Sequence, residues 1–278
     1  MKSRFETRFV QIVVALALIV APARPTFAQQ QIDDEDKRSL FTWRDGLLAG
    51  GFVVGTIAIR PLDKSAAKTF QKPIPQQKWY LHKAAVGLNK IAVPGAVIIG
   101  TSMYAIGRLS KSDRLAQLGL HGTEALFIGE GIATGMKYTF GRARPYVDSV
   151  PNPDNWQLLR GFRSDTRYRS FPSGHSVAGF AAAAAVTAET SVWYPEAAIV
   201  VGTAMYGGAA LIGLARMYDN RHWASDVIMG AAIGTFAGNK VVRYHRIHPN
   251  NRIDKWLLNA SVTPGDWSRV SIAILPAR

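Results

Sequence analysis

Apolar residues in this chain gather in long blocks near residues 46–59, 89–107, 117–136, 173–188, 196–215 and 225–242, with polar residues between them. Blocks of that length, without strict alternation, predict six helices rather than strands. Small residues recur inside them, as at Ala178, Gly179 and Ala181 to Ala185, and again at Gly207, Gly208, Ala209 and Ala210. Such positions let helix axes approach closely, in water or in lipid. The last thirty residues read differently: segments 257–263 and 267–275 look strand-like and flank a Pro264-Gly265-Asp266 turn, which predicts a C-terminal hairpin or extended tail. The expected fold is all-α, a bundle of about six core helices, with a short C-terminal β-hairpin.

The first 28 residues place Lys2, Arg4 and Arg8 ahead of an apolar run over 9–23, followed by Pro-containing sequence and Thr26-Phe27-Ala28. That is the layout of a secretory signal peptide; an uncleaved anchor helix is the other reading. No composition break or Ser/Pro-rich linker divides the middle of the chain. The expected organisation is therefore a signal peptide over 1–28, one domain over 38–248 and a tail over 249–278. A membrane span needs about 20 mainly apolar residues, and only 197–215 comes close. The 91–107 stretch is uncharged but short, and 117–136 carries His121, Glu124 and Glu130. A soluble or peripherally attached bundle in the cell envelope is the expectation.

A hydrophobic content of 48% is ample for a buried core, and the formal net charge is +14. So basic a chain suits nucleic acid, anionic lipid or phosphorylated substrates, and export removes nucleic acid from that set. There is no cysteine, which excludes a disulfide framework, zinc-thiolate sites and a cysteine nucleophile.

Chemistry concentrates between residues 137 and 226. If the helix continues, Lys137 and Arg144 lie seven residues apart on one face and converge on one anion, with Pro145 ending the element. Lysine brings a compact charge and arginine a planar fork for two phosphate oxygens. Pro172-Ser173-Gly174-His175 precedes the Ala-rich helix, where free N–H groups and the dipole attract anions. Gly174 permits close approach, His175 is placed to donate a proton, and Ser173 either binds phosphate or simply caps the helix. In the third cluster, Tyr218-Asp219-Asn220 predicts a turn that ends one helix at Arg216 and starts the next, with His222 and Asp226 sharing a face at i and i+4. A carboxylate on one imidazole nitrogen orients the other for attack.

These three clusters, in this order and spacing, resemble the type 2 phosphatidic acid phosphatase and vanadium haloperoxidase superfamily. Its pattern reads Lys-x6-Arg-Pro, then Pro-Ser-Gly-His, then Ser-Arg-x5-His-x3-Asp. The departure is Ala215 where serine is usual. The resemblance covers about residues 120–240. It implies that His222 attacks phosphorus to give a phosphohistidine, that His175 protonates the leaving alcohol, and that Asp226 orients His222. Lys137, Arg144, Ser173, Gly174 and Arg216 would hold the non-bridging oxygens, with no metal and no cofactor, vanadate serving only as a phosphate mimic or inhibitor.

The implied activity is a phosphatase acting on phosphate mono- or diphosphate esters, chiefly lipid phosphates of the cell envelope, with the membrane surface as partner and the site facing the periplasm. A broad periplasmic acid phosphatase is one alternative, and a vanadium-dependent haloperoxidase is another of a different class. A cleaved leader followed by three spans would put Lys137 on the cytoplasmic side, a conflict that a soluble or peripheral bundle avoids.

Two further features stand outside the motifs. His121 and Glu124, at i and i+3, have the spacing of a metal pair but supply too few ligands, so they read as a buried hydrogen-bonded pair. Trp156, Phe162 and the arginines at 160, 163, 167 and 169 could form a basic, aromatic lip or a solvated loop.

Overall fold

The computed structural model describes residues 39–258 and, as backbone, the segments 260–264 and 270–274. The signal peptide expected over 1–28 lies outside the described residues.

The chain opens with α1 (Trp43–Ile59), whose N-terminus is closed by Thr42 and Asp45, and runs through a 3-10 turn into α2 (Asp63–Phe70). Lys240 bonds Asp45 at 2.5 Å and the Leu40 carbonyl, pinning this entry to the bundle. After the short α3 (Pro73–Gln76), α4 (Trp79–Lys90) joins α5 (Ala96–Leu109) through a π-turn at Ile91–Gly95. Pro94 sits in that turn. Its ring cannot donate to the i−4 carbonyl, and the wider turn lets the helix continue around it. The apolar block at 89–107 is thus the later part of a much longer helical run.

The remaining helices are α6 (Asp113–Phe140), the one-turn α7 (Arg160–Arg163), α8 (Gly174–Trp193), α9 (Ala198–Tyr218), α10 (Ala224–Ile247) and α11 (Arg252–Leu257). Beyond them β1 (Ala260–Pro264) and β2 (Val270–Ile274) pair antiparallel, Ala260 opposite Ile274.

The centre of the bundle is α8, packed against α6, α9 and α10. Its inward residues Val177, Ala178, Ala181, Ala184 and Ala185 have no exposed surface. Gly230, Gly234 and Gly238 on α10 come up against the backbone of α8 at Ser173, Val177 and Ala181. Four-residue spacing puts these glycines on one stripe, and any side chain there would strike the α8 carbonyls.

Among the described residues, three helical runs are long and apolar enough to cross a membrane: Trp43–Phe70, Trp79–Leu109 and Pro195–Tyr218. Their outward faces carry Leu47, Val54, Ile57, Ile98, Ile106, Val200 and Leu211, all exposed. Apolar surface on this scale marks an interaction face and fits association with a membrane. The expectation that only 197–215 comes close to a span is corrected accordingly. The sequence blocks had been cut at charged residues, whereas the helices continue beyond them by one to three turns.

Candidate active site

The polar ends of α6, α8, α9 and α10 meet at one end of the bundle. There α6 stops at Phe140, and Gly141 takes a left-handed conformation at φ 52°. Lys137 is therefore on the last turn while Arg144 lies in the loop beyond, so the two do not share a helix face. The loop brings Arg144 back: its N–H bonds the Arg167 carbonyl and its Nε donates to the Thr166 carbonyl, both at 2.9 Å.

Lys137 is largely buried, with its Nζ 3.6 Å from the Glu130 carboxylate about two turns earlier on the same helix face. Burial lowers the Lys137 pKa, Glu130 opposes the fall, and Arg144 adds to it. A Cβ on Gly174 would lie 2.7 Å from Lys137 Nζ and 2.8 Å from Glu130. Glycine at the start of α8 thus leaves the space in which the lysine and its carboxylate sit.

Ser173 is fully buried and caps α8, its Oγ accepting from the Ser176 N–H at 3.4 Å and from the Ser176 hydroxyl at 3.0 Å. Its own N–H donates to the Asp226 carbonyl at 3.0 Å, tying α8 to α10. His175, in the first turn of α8, is pressed by burial and by the charges of Arg216, Lys137 and Arg144, which lower its pKa to about 3. That shared electrostatic influence marks three cations from three separate segments converging on one imidazole.

His222 lies in the loop before α10, not on it; Trp223 caps that helix and Asp226 is in its first turn. Only 3% of the His222 side chain is exposed. Its Nδ1 is 2.8 Å from the Ser170 carbonyl and 3.5 Å from Asp226. A carbonyl can only accept, so Nδ1 carries the proton and Nε2 keeps its lone pair. Burial lowers the His222 pKa to about 3; Asp226 resists the fall, and Arg144 and Arg216 reinforce it. The ring is neutral at physiological pH.

Asp226 is saturated. It accepts from Arg142 at 2.5 Å, from the Ser170 hydroxyl at 2.5 Å and from the Trp223 N–H at 2.9 Å. Burial works against its charge, but Arg142, His222 and Ser170 outweigh burial and bring its pKa to about 2.

Sequence reasoning missed the group that holds this carboxylate. Arg142 is fully buried between Asp226 and Asp63 of α2, which it meets at 2.7 Å, and it lies over the ring of Trp156, 4.4 Å from the centroid. Ser225 donates to Asp63 through both N–H and hydroxyl, at 2.9 and 2.6 Å. Asn89 of α4 was also missed: its Oδ1 accepts from Arg216 at 3.0 Å and its Nδ2 donates to Asp219 at 2.5 Å. Neither Asp63 nor Asn89 lies near a motif in sequence, so only Arg142, two residues before Arg144, carried a local signal.

His121 and Glu124 are not paired to each other and lie away from this site. His121 bonds Glu189 and Glu124 bonds His245. In the loop, Arg160 is committed to the Gly141 and Asn155 carbonyls and Arg169 to those of Gly161 and Ser164, while Phe162 is exposed.

Residues 120–249 match the family model of the PAP2 superfamily. The fold agrees with the crystal structure of a transmembrane PAP2-type phosphatidylglycerolphosphate phosphatase from Bacillus subtilis. The TM-score is 0.50 at 19% identity, covering 76% of this chain and 99% of that one. The chain is also 31% identical over 140 residues to a lipid A 1-phosphatase of Porphyromonas gingivalis. That alignment takes in 49% of this chain and 26% of the relative, so the chain spans about a quarter of that protein's length.

Proposed function

We propose that this protein is a metal-independent phosphatase that removes phosphate from lipid phosphate or diphosphate esters of the cell envelope through a phosphohistidine on His222. The observation that carries the reading is the neutral, buried His222. Its Nδ1 is occupied by the Ser170 carbonyl, which leaves Nε2 as nucleophile beside a cluster of cations.

Nε2 attacks phosphorus while Lys137, Arg144 and Arg216 take up charge on the non-bridging oxygens. The bond from phosphorus to the leaving oxygen breaks, and His175 gives that oxygen its proton. In the free protein burial and the cations keep His175 unprotonated; a phosphate dianion offsets the cations and raises its basicity. Water then attacks the phosphohistidine, His175 takes the water's proton, and phosphate and neutral His222 are released. Asp226 stabilises the imidazole in its positively charged states from 3.5 Å.

The long apolar helices favour a lipid substrate over a small soluble ester. Phosphatidic acid, phosphatidylglycerol phosphate, polyprenyl diphosphate and a lipid A 1-phosphate are the candidates, the last two being diphosphate or glycosyl phosphate esters. Phosphate release from phosphatidic acid, undecaprenyl diphosphate, a lipid A 1-phosphate and p-nitrophenyl phosphate, compared in detergent with EDTA, tests the reading. Preference for a lipid supports it; preference for the small ester makes the protein a broad acid phosphatase, and no release from any overturns it.

We further propose that the leader is a signal peptide and that the site faces the periplasm. The chain has no cysteine, so Arg163→Cys on the exposed loop beside the site reports its side directly. Labelling of intact cells by an impermeant maleimide is expected, and labelling only after lysis would reverse the orientation.

A further inference from the structure

At the opposite end of the bundle, about 28 Å along α10 from Asp226 at 1.5 Å per residue, a second polar cluster is built from α6, α8, α10 and α11. His121 and His245 stack with centroids 4.0 Å apart. His121 Nδ1 is held by Glu189 at 2.7 Å, and His245 Nε2 by Glu124 at 2.5 Å. Each imidazole therefore has one nitrogen fixed by a carboxylate, the arrangement that orients histidine ligands in metal sites.

The other nitrogens face a common space. His121 Nε2 is buried with no hydrogen-bond partner, and the side chain is 5% exposed. His245 Nδ1 lies 2.7 Å from Asp254 Oδ1, the distance of an ion pair, with the Asn251 amide nitrogen 3.3 Å away. A charged His245 between Glu124 and Asp254 would account for one ring, but it leaves His121 Nε2 buried and unsatisfied, which is unfavourable. A cation accounts for both. All three residues line a cavity of about 350 Å³, which gives an ion a way in.

We propose that His121 Nε2, His245 Nδ1 and Asp254 Oδ1 form a binding site for a divalent transition ion of the zinc class, with Glu189 and Glu124 as its orienting partners. Two imidazoles and a carboxylate suit zinc, leaving a fourth position on the cavity side. The donor atoms lie within 4.8 Å of one another, against about 3.3 Å for neighbouring ligands of a tetrahedral zinc, so binding draws them in. Because Asp254 belongs to α11, the ion fastens the C-terminal segment to the end of the bundle. The site is separate from the proposed phosphate pocket and rests on no part of that reading.

The test uses tag-free full-length protein in detergent, stripped with EDTA and titrated with zinc chloride by calorimetry, with bound metal counted. One zinc per chain is expected, together with a rise in melting temperature on zinc addition. His121→Ala and Asp254→Asn are each expected to weaken binding by roughly 100-fold, and Glu189→Gln by about tenfold, while His248→Ala leaves it unchanged. If His121→Ala does not melt cooperatively, Asp254→Asn, on the peripheral helix, decides the matter. Failure to take up one zinc, or uptake undiminished in Asp254→Asn, overturns the proposal.

Discussion

The two ends of the bundle use the same residue types in opposite proportion. At the end formed by the N-termini of α8 and α10, Lys137, Arg144 and Arg216 act on His175, Arg144 and Arg216 act on His222, and the carboxylate beside His222, Asp226, is already bound by Arg142. At the other end, carboxylates of Glu124, Glu189 and Asp254 surround two imidazoles. Burial and neighbouring cations lower the His222 pKa to about 3. On His245 burial works the same way, but Glu124 and Asp254 outweigh it and raise the pKa. Histidine thus has no fixed meaning in this chain: surplus positive charge makes an anion site around it, and surplus negative charge makes a cation site.

The sharpest way to break that contrast is at the anion end. His222→Asn is expected to lower kcat by at least about 10⁴-fold while vanadate still binds, as loss of a nucleophile requires. Asparagine is preferable to alanine because His222 is buried, and truncation would leave a cavity. Turnover within tenfold of wild type would remove His222 from its role. Next in size is Arg142→Met, which strands Asp63 and Asp226 as buried, uncompensated charges. A loss of about 3–5 kcal/mol in stability is expected, read by denaturant or thermal melting. A shift under 1 kcal/mol would mean the network is not what holds α2 to α10.

A smaller effect is expected from Asn89→Ala, which frees Arg216 without touching the other cations. A roughly tenfold fall in kcat/KM, mostly through KM, is expected for loss of one orienting hydrogen bond to a charged group, with the melting temperature little changed. A last test lies in pH dependence. His222 has a pKa near 3 when folded and about 6.5 when unfolded, so below pH 6.5 the unfolded chain binds a proton that the folded chain does not. Its contribution to stability is complete above pH 6.5 and declines toward pH 3, by about 1.4 kcal/mol per pH unit. Comparing wild type with His222→Asn across pH 4–7 isolates that slope, and equal slopes would mean the ring is charged in the fold.

Much of the site was legible because motifs keep local spacing. Pro172 to His175 lie at a helix start as read, and the turn after Tyr218 is present. The helix ends were not legible. Periodicity continued past Phe140 and into residue 222, whereas Gly141 and the Trp223 cap stop the helices there. Lys137 with Arg144, and His222 with Asp226, therefore meet through loops and not along helix faces. The apolar runs were read too short for a related reason, since charged residues near their ends interrupt the sequence pattern but not the backbone.

What the sequence alone determined was the helical class and the small-residue helix contacts, both consequences of composition and short-range spacing, and it marked the candidate residues for phosphate chemistry by their resemblance to a known pattern. The tertiary structure decided the partners of the buried charges. Asp63 and Arg142 are 79 residues apart, Asn89 and Arg216 are 127, and His121 and Glu189 are 68. No local pattern encodes such pairs, because a buried charge is stabilised by whichever opposite charge the packing of distant helices brings within hydrogen-bonding range.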